Sequence, residues 1–361
     1  MAKAGPAKFT SMRSRFSGCY SGQVVAVDAE RVNNALVVKG TITGDITLIM
    51  DAANDQRAIT IQAKFNNVVG SGTLLTTSVG LKLKTKGHPN SSHCLPTQTS
   101  PPFGPNLREK SQASWNTNPI ENWGMSSTSI GAEGKDLKST CRFSLLVKVT
   151  PIASKAKYVN LWTKAGVSDK EFQARCDSAA YVYSPSGGCV FTYRKPYMEM
   201  RRNDVNDKGE TWEEQYDHLK KALTDPNTAP TYPALGGVSF PHSAGRSKNM
   251  PGGSASRPIH RVVSDPLYDL NAAQRSLSDA VCRREISSTW VSDVKYDPLA
   301  KNCDEYPFAS TDEGSLGANP DFNFSVLLIR ATHNQAHGHV LGAWYGNNRI
   351  PKRDAFWIKL S

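Results

Sequence analysis

Between residues 20 and 150, apolar and polar side chains alternate with a period of two. Ile59, Ile61, Ala63 and Phe65 are separated by polar neighbours, and Leu81 and Leu83 alternate with Lys82, Lys84 and Lys86. Phe143, Leu145, Val147 and Val149 repeat the pattern. Successive side chains of a strand point to opposite faces, so this period predicts strands with one buried and one wet face, the habit of antiparallel sheets. Thr43-Gly44-Asp45 and Gly70-Ser71-Gly72 read as turns between them. Residues 1–150 are therefore expected to form an antiparallel β-sandwich. Residues 87–137, rich in Pro, Ser, Asn and Gly, read as a long irregular insertion. The domain boundary is placed near residue 151, because Cys141–Val149 still reads as a sandwich strand.

The remainder mixes the two periodicities. Trp212–Ala222 reads as a helix, with acidic groups first and lysines last, matching the helix dipole. Residues 241–258 read as loop and Leu270–Arg284 as a second helix. A strand at Phe324–Arg330, a short segment His333–Tyr345 and a closing strand Ala355–Leu360 complete the chain. A length of 361 residues suits two domains of about 100–200 residues each, here 1–150 and 151–361, and the class is α+β. The longest apolar run, Phe324-Ser325-Val326-Leu327-Leu328-Ile329, is strand-sized, far below the roughly 18–20 residues of a membrane span. A helical membrane span, collagen, a coiled coil and a disordered tail are excluded, and no membrane is expected as a partner.

The net charge is +11, and it is unevenly placed. Residues 1–150 carry 17 basic and 9 acidic groups, against 26 and 23 in residues 151–361. A polyanionic partner is favoured, attracted mainly by the first part. The seven cysteines contain no CxxC pair, which leaves a zinc ribbon unsupported. Cys176 with Cys189, and Cys282 with Cys303, are close in sequence. Each would close a short loop worth roughly 3 kcal/mol. The odd count leaves at least one thiol over. Residues 1–18 hold Lys3, Lys8, Arg13 and Arg15 but no apolar segment, so no signal peptide is read in this numbering. The cysteines still favour export to an oxidising compartment.

The densest chemistry lies in Asn302-Cys303-Asp304-Glu305-Tyr306-Pro307-Phe308-Ala309-Ser310-Thr311, where two adjacent carboxylates precede a rigid Tyr-Pro step. Asp304 has the chemistry of a general base, and Glu305 that of a group orienting a cation. Downstream, His333-Asn334-Gln335-Ala336-His337-Gly338-His339 follows the apolar strand. If helical, it sets His333 and His337 on one face. The two histidines have the separation of a zinc protease's H-E-x-x-H. Asn334 replaces the glutamate that must take a proton from water, so a zinc metalloprotease through His333 and His337 is a weak alternative.

Cys303-Asp304-Glu305-Tyr306-Pro307-Phe308-Ala309 resembles the signature of the NucA/NucB deoxyribonucleases, secreted bacterial endonucleases. Asn334-Gln335-Ala336-His337-Gly338 is similar to the family's second motif. Ala343-Trp344-Tyr345-Gly346-Asn347-Asn348-Arg349-Ile350 and Asp354-Ala355-Phe356-Trp357 resemble the close of its larger actinobacterial members. So do Arg175-Cys176-Asp177-Ser178-Ala179, Gly188-Cys189-Val190-Phe191 and Ala280-Val281-Cys282, so the likeness runs over roughly residues 170–361. The resemblance implies a C-terminal nuclease domain with a ββα-metal-like core and Asp304 as general base. The hypothesis built on it sets Glu305 and Asn334 beside Asp304, assigns Glu305, His333 and Asn334 to a divalent cation, His337 and His339 to phosphate or metal contacts, and Arg349 to backbone phosphate. The cation would be Mg²⁺ or Mn²⁺, with Zn²⁺ after these. The family places an acidic residue where this chain has His333. The expected substrate is DNA, with RNA a second polyanion, cleaved without sequence selectivity. A toxin role would add a cognate inhibitor protein. A catalytically impaired nucleic-acid-binding protein on the same fold is the alternative.

Overall fold

The computed structural model describes residues 9–97, 105–149, 157–160, 171–183, 186–193, 195–227, 249–264, 269–285, 300–317 and 323–361. The chain forms two compact units, 1–194 and 195–361. The first contains β1 (Phe9–Met12), β2 (Ser17–Val32), β3 (Ala35–Ala52), β4 (Ala58–Gly72), β5 (Val79–His88), β6 (Cys94–Thr97) and β7 (Leu107–Lys110). It continues with α1 (Gln112–Thr117), β8 (Ile120–Ser127), β9 (Ser139–Val149), β10 (Lys157–Asn160), β11 (Phe172–Asp177) and β12 (Gly188–Phe191). One sheet has the order β1-β2-β3-β4-β8-β6; the other is β12-β11-β9-β5-β7, with β10 also on β9. Every pairing in the two sheets is antiparallel.

The alternation read from the sequence is the burial pattern found. Ile59, Ile61, Ala63, Phe65, Leu81, Leu83, Phe143, Leu145, Val147 and Val149 all enter one core fed by both sheets. Thr43-Gly44-Asp45 is not a turn. It is a bulge inside β3, and the Phe65 ring stands 2.6 Å from where a side chain on Gly44 would begin. Residues 87–137 are not an irregular insertion either. They supply β6, β7, α1 and β8, and bury Trp115, Trp123 and Met125 in the core. The unit also runs past residue 150, because β11 pairs with β9 and β12 with β11. Residue 151 itself lies outside the described residues.

Cys176–Cys189 joins two residues directly opposite each other on β11 and β12. Cys94–Cys141 joins β6 of one sheet to β9 of the other. Cys19 is left as the free cysteine. Closing the 47-residue separation of Cys94 and Cys141 should contribute about 4 kcal/mol by restricting the unfolded chain. A urea titration of the Cys94→Ala/Cys141→Ala variant is expected to show that loss. An unchanged midpoint would refute it.

The second unit contains β13 (Tyr197–Met200), α2 (Glu213–Thr224), β14 (Ile259–His260), α3 (Leu270–Glu285), β15 (Lys301–Tyr306), β16 (Ser325–Arg330), α4 (Ala331–Asn347) and β17 (Ala355–Leu360). β17 is the middle strand of a small sheet, parallel to β13 and antiparallel to β14. β15 and β16 form a separate antiparallel pair. Among the described residues no helix is long and apolar enough to cross a membrane.

Candidate active site

In the β15–β16 pair Asp304 lies opposite Leu327, Glu305 opposite Val326 and Tyr306 opposite Ser325. α4 begins directly after β16. Strand geometry sends adjacent side chains to opposite faces. Cys303 and Glu305 share the face toward α3: Cys303 is disulfide-bonded to Cys282 of α3, and Glu305 senses Arg275 and Asp279 of the same helix. Asp304 takes the other face, toward α2. The adjacent carboxylates therefore diverge.

Asp304 is 3 % exposed, and its Oδ2 is hydrogen-bonded to Nδ1 of the buried His218 on α2. A carboxylate only accepts, so Nδ1 carries the proton. His218 Nε2 then accepts from the Ser325 hydroxyl at 2.8 Å. The atom order is that of a Ser-His-Asp triad. Ser325, however, is 0 % exposed, so no substrate reaches its hydroxyl. At the other end of the series, Asp304 Oδ1 has no hydrogen-bond partner among the described residues.

His337 of α4 is buried, its ring tilted against Phe308 at 5.3 Å between centroids. Burial pushes its imidazole down to about 4, against the pull of the Asp304 charge, and its Nε2 has no protein partner among the described residues. Gln215, one turn before His218, is also buried with neither amide atom paired. Asn334 donates from Nδ2 to the Cys303 carbonyl at 3.2 Å, holding α4 to β15.

His333 has a different task. Its Nδ1 accepts the Glu214 backbone N–H at 3.4 Å and its Nε2 lies 3.3 Å from the Thr211 hydroxyl. The Glu214 carboxylate in turn accepts the Arg330 backbone N–H at 2.6 Å and pairs with the Arg330 guanidinium at 3.0 Å. His333 thus satisfies an open donor at the start of α2 and ties the beginnings of α2 and α4 together. The expected metal set does not converge: Glu305 turns to α3, Asn334 to the Cys303 carbonyl and His333 to α2. No cluster of three His, Cys, Asp or Glu side chains is arranged for a metal among the described residues. Of the residues expected at phosphate, His339 is exposed, whereas His337 is buried and Arg349 is 0 % exposed at the end of α4.

Glu305 is half-buried, and its carboxyl is pushed up to about 8, first by desolvation and then by the Asp304 charge, against the pull of Arg275. An unfolded Glu releases its proton near 4.5. From there to about 8 the folded chain holds a proton that the unfolded chain has lost, so stability falls as pH rises. His337 acts oppositely. Between about 4 and 6.5 the unfolded chain binds the extra proton, so stability rises with pH. Above pH 6.5 the Glu305 contribution is no longer opposed by that of His337. Melts in EDTA from pH 6.5 to 8 are expected to show a falling Tm, and Glu305→Gln is expected to flatten that slope. An equal slope in both proteins would refute the assignment.

His218, which hydrogen-bonds Asp304, is the site neighbour that the motifs did not supply. Its signal was its place on the helix: it shares the buried face of α2 with Gln215, Leu219 and Ala222, where a titratable ring needs a partner.

Residues 263–359 match the family model described as Deoxyribonuclease NucA/NucB. No curated protein matches the chain. The matched span contains β15, β16, α4 and nearly all of β17, whereas His218 precedes it. Arg175–Phe191, also expected to belong to the likeness, lies in the first unit and outside the match. Asp304, Glu305 and Asn334 all lie inside the span, residues 263–359, that is similar to the NucA/NucB deoxyribonuclease family.

Proposed function

We propose that the second unit is an extracellular endonuclease that hydrolyses phosphodiester bonds of DNA without sequence selectivity, with Asp304 as general base. The observation that carries this reading is the Asp304–His218–Ser325 series, built on the strand that bears the family's Cys-Asp-Glu-Tyr-Pro-Phe-Ala run. A general base must touch the attacking water rather than the nucleic acid, which suits a carboxylate with so little exposed surface. His218 fixes one oxygen of Asp304 and leaves Oδ1 for that water. Ser325 fixes the tautomer of His218. Asn334 acts through the backbone, holding the strand that carries Asp304. The pair β15–β16 followed by α4 has the element order of a ββα core.

The family resemblance adds a divalent cation, Mg²⁺ or Mn²⁺, which would supply Lewis-acid stabilisation of the phosphate. Glu305, His333 and Asn334 do not fit it as one site, and no step here depends on it. Three disulfides support an oxidising compartment. A neutralising partner protein belongs to this reading only if the nuclease is a toxin.

The test is supercoiled plasmid incubated with the chain and Mg²⁺ or Mn²⁺, with EDTA as control and RNA in parallel. Relaxed and linear products are expected. Binding without cleavage in any divalent cation would replace this reading with the binding-only alternative.

A further inference from the structure

We propose that the outer face of the β5–β9 sheet in the first unit docks the sugar-phosphate backbone of DNA, through Lys84, Lys86 and Arg142. Leu81 and Leu83 of β5 point into the core, so Lys84 and Lys86 point outward, and both are exposed. Arg142 of β9 is exposed directly opposite Lys86. Like charges directly opposite one another weaken a sheet. None of the three makes an ion pair with a described residue. Their neighbours differ: Lys148 pairs with Glu109 at 2.8 Å and His88 lies 3.4 Å from Glu133. Glu171 adds a negative charge near Tyr193, which Arg142 also faces.

Folding alone gives no reason to set three cations together without an ion pair to any described residue, and a row of phosphates answers them. Lys84 and Lys86 stand about 6.7 Å apart along the strand, with the next strand about 4.8 Å away. Lys and Arg side chains that meet phosphates read no base edges, so the docking is independent of sequence. The choice of DNA as occupant rests on the nuclease reading. The surface itself lies outside the family segment, which begins at residue 263.

The experiment uses the full chain in EDTA, where cleavage is suppressed, and a fluorescein-labelled 30-base-pair duplex followed by anisotropy over a salt series. The variant Lys84→Gln/Lys86→Gln/Arg142→Gln is expected to bind at least tenfold more weakly at low salt. Its slope of log affinity against log salt should be shallower by about 3, one for each phosphate contact removed. Lys84→Gln alone should lower the slope by about 1, which keeps the test decisive if the triple variant folds poorly. Affinity and slope equal to the parent's would overturn the proposal, as would failure of the parent to bind the duplex. Because the readout is binding, a parent that binds through this face but never cleaves plasmid would sink the nuclease reading and leave the docking surface standing.

Discussion

Asp304→Asn is expected to lower plasmid cleavage by about 10²- to 10⁴-fold, the contribution of a positioned general base, while the chain stays folded. Asparagine has nearly the same shape as aspartate, and its amide oxygen still accepts the His218 Nδ1–H, so the buried contact survives. What is lost is the ability to take a proton. DNA affinity in EDTA should be unchanged, because a side chain with 3 % exposure has almost no surface to offer a duplex. Asp304→Ala serves as the contrast. It leaves the Nδ1–H donor buried without an acceptor, at a cost of about 1–3 kcal/mol, so its Tm should fall where that of Asp304→Asn does not. Retention of half the parent's cleavage rate by Asp304→Asn would remove Asp304 from the mechanism.

The strand periodicity was legible because burial on one face writes itself into alternation. The closing strand Ala355–Leu360 and the helix expected at Leu270–Arg284 were likewise readable, and the helix runs Leu270–Glu285. Long-range pairing was not. Cys176–Cys189 and Cys282–Cys303 follow from closeness in sequence, but Cys94 and Cys141 meet only because two sheets bring them together. Gly44 looked like a turn, since a bulge and a turn ask the same of a glycine. The boundary near 151 missed β11 and β12, whose partners lie earlier in the chain.

The same limit governs the site. Asp304 stands in a motif, but its partner His218 lies 86 residues earlier, and no local spacing joins them. His337 and Arg349 have the chemistry of phosphate contacts, yet residue type does not reveal burial, and both are enclosed. By the resemblance, an acid was expected where His333 stands. The fold supplies a local reason for the imidazole, because the open Glu214 N–H at the start of α2 needs an acceptor there.

His218→Ala is expected to have the second large effect, and it must be separated from simple unfolding. Removing the donor leaves the buried Asp304 carboxylate without its hydrogen bond, at a cost of about 1–3 kcal/mol or more, so the Tm will drop whatever His218 does in catalysis. Two amide variants divide the contributions. His218→Asn carries an N–H where Nδ1 stands and can hold Asp304, but it does not reach Ser325. His218→Gln extends toward Ser325 and leaves Asp304 without its donor. If His218 is a positioning residue acting through Asp304, His218→Asn recovers most of the activity. His218→Gln, although folded, should stay about 10- to 100-fold low in kcat with KM little changed, the scale on which partners that orient a reactive group act. Equal activity in the two variants would reduce His218 to a structural role. Ser325→Ala completes the set: a loss of tenfold or less fits a hydroxyl that only orients His218. Complete loss in a folded Ser325→Ala protein would make Ser325 the nucleophile and remove Asp304 as the base.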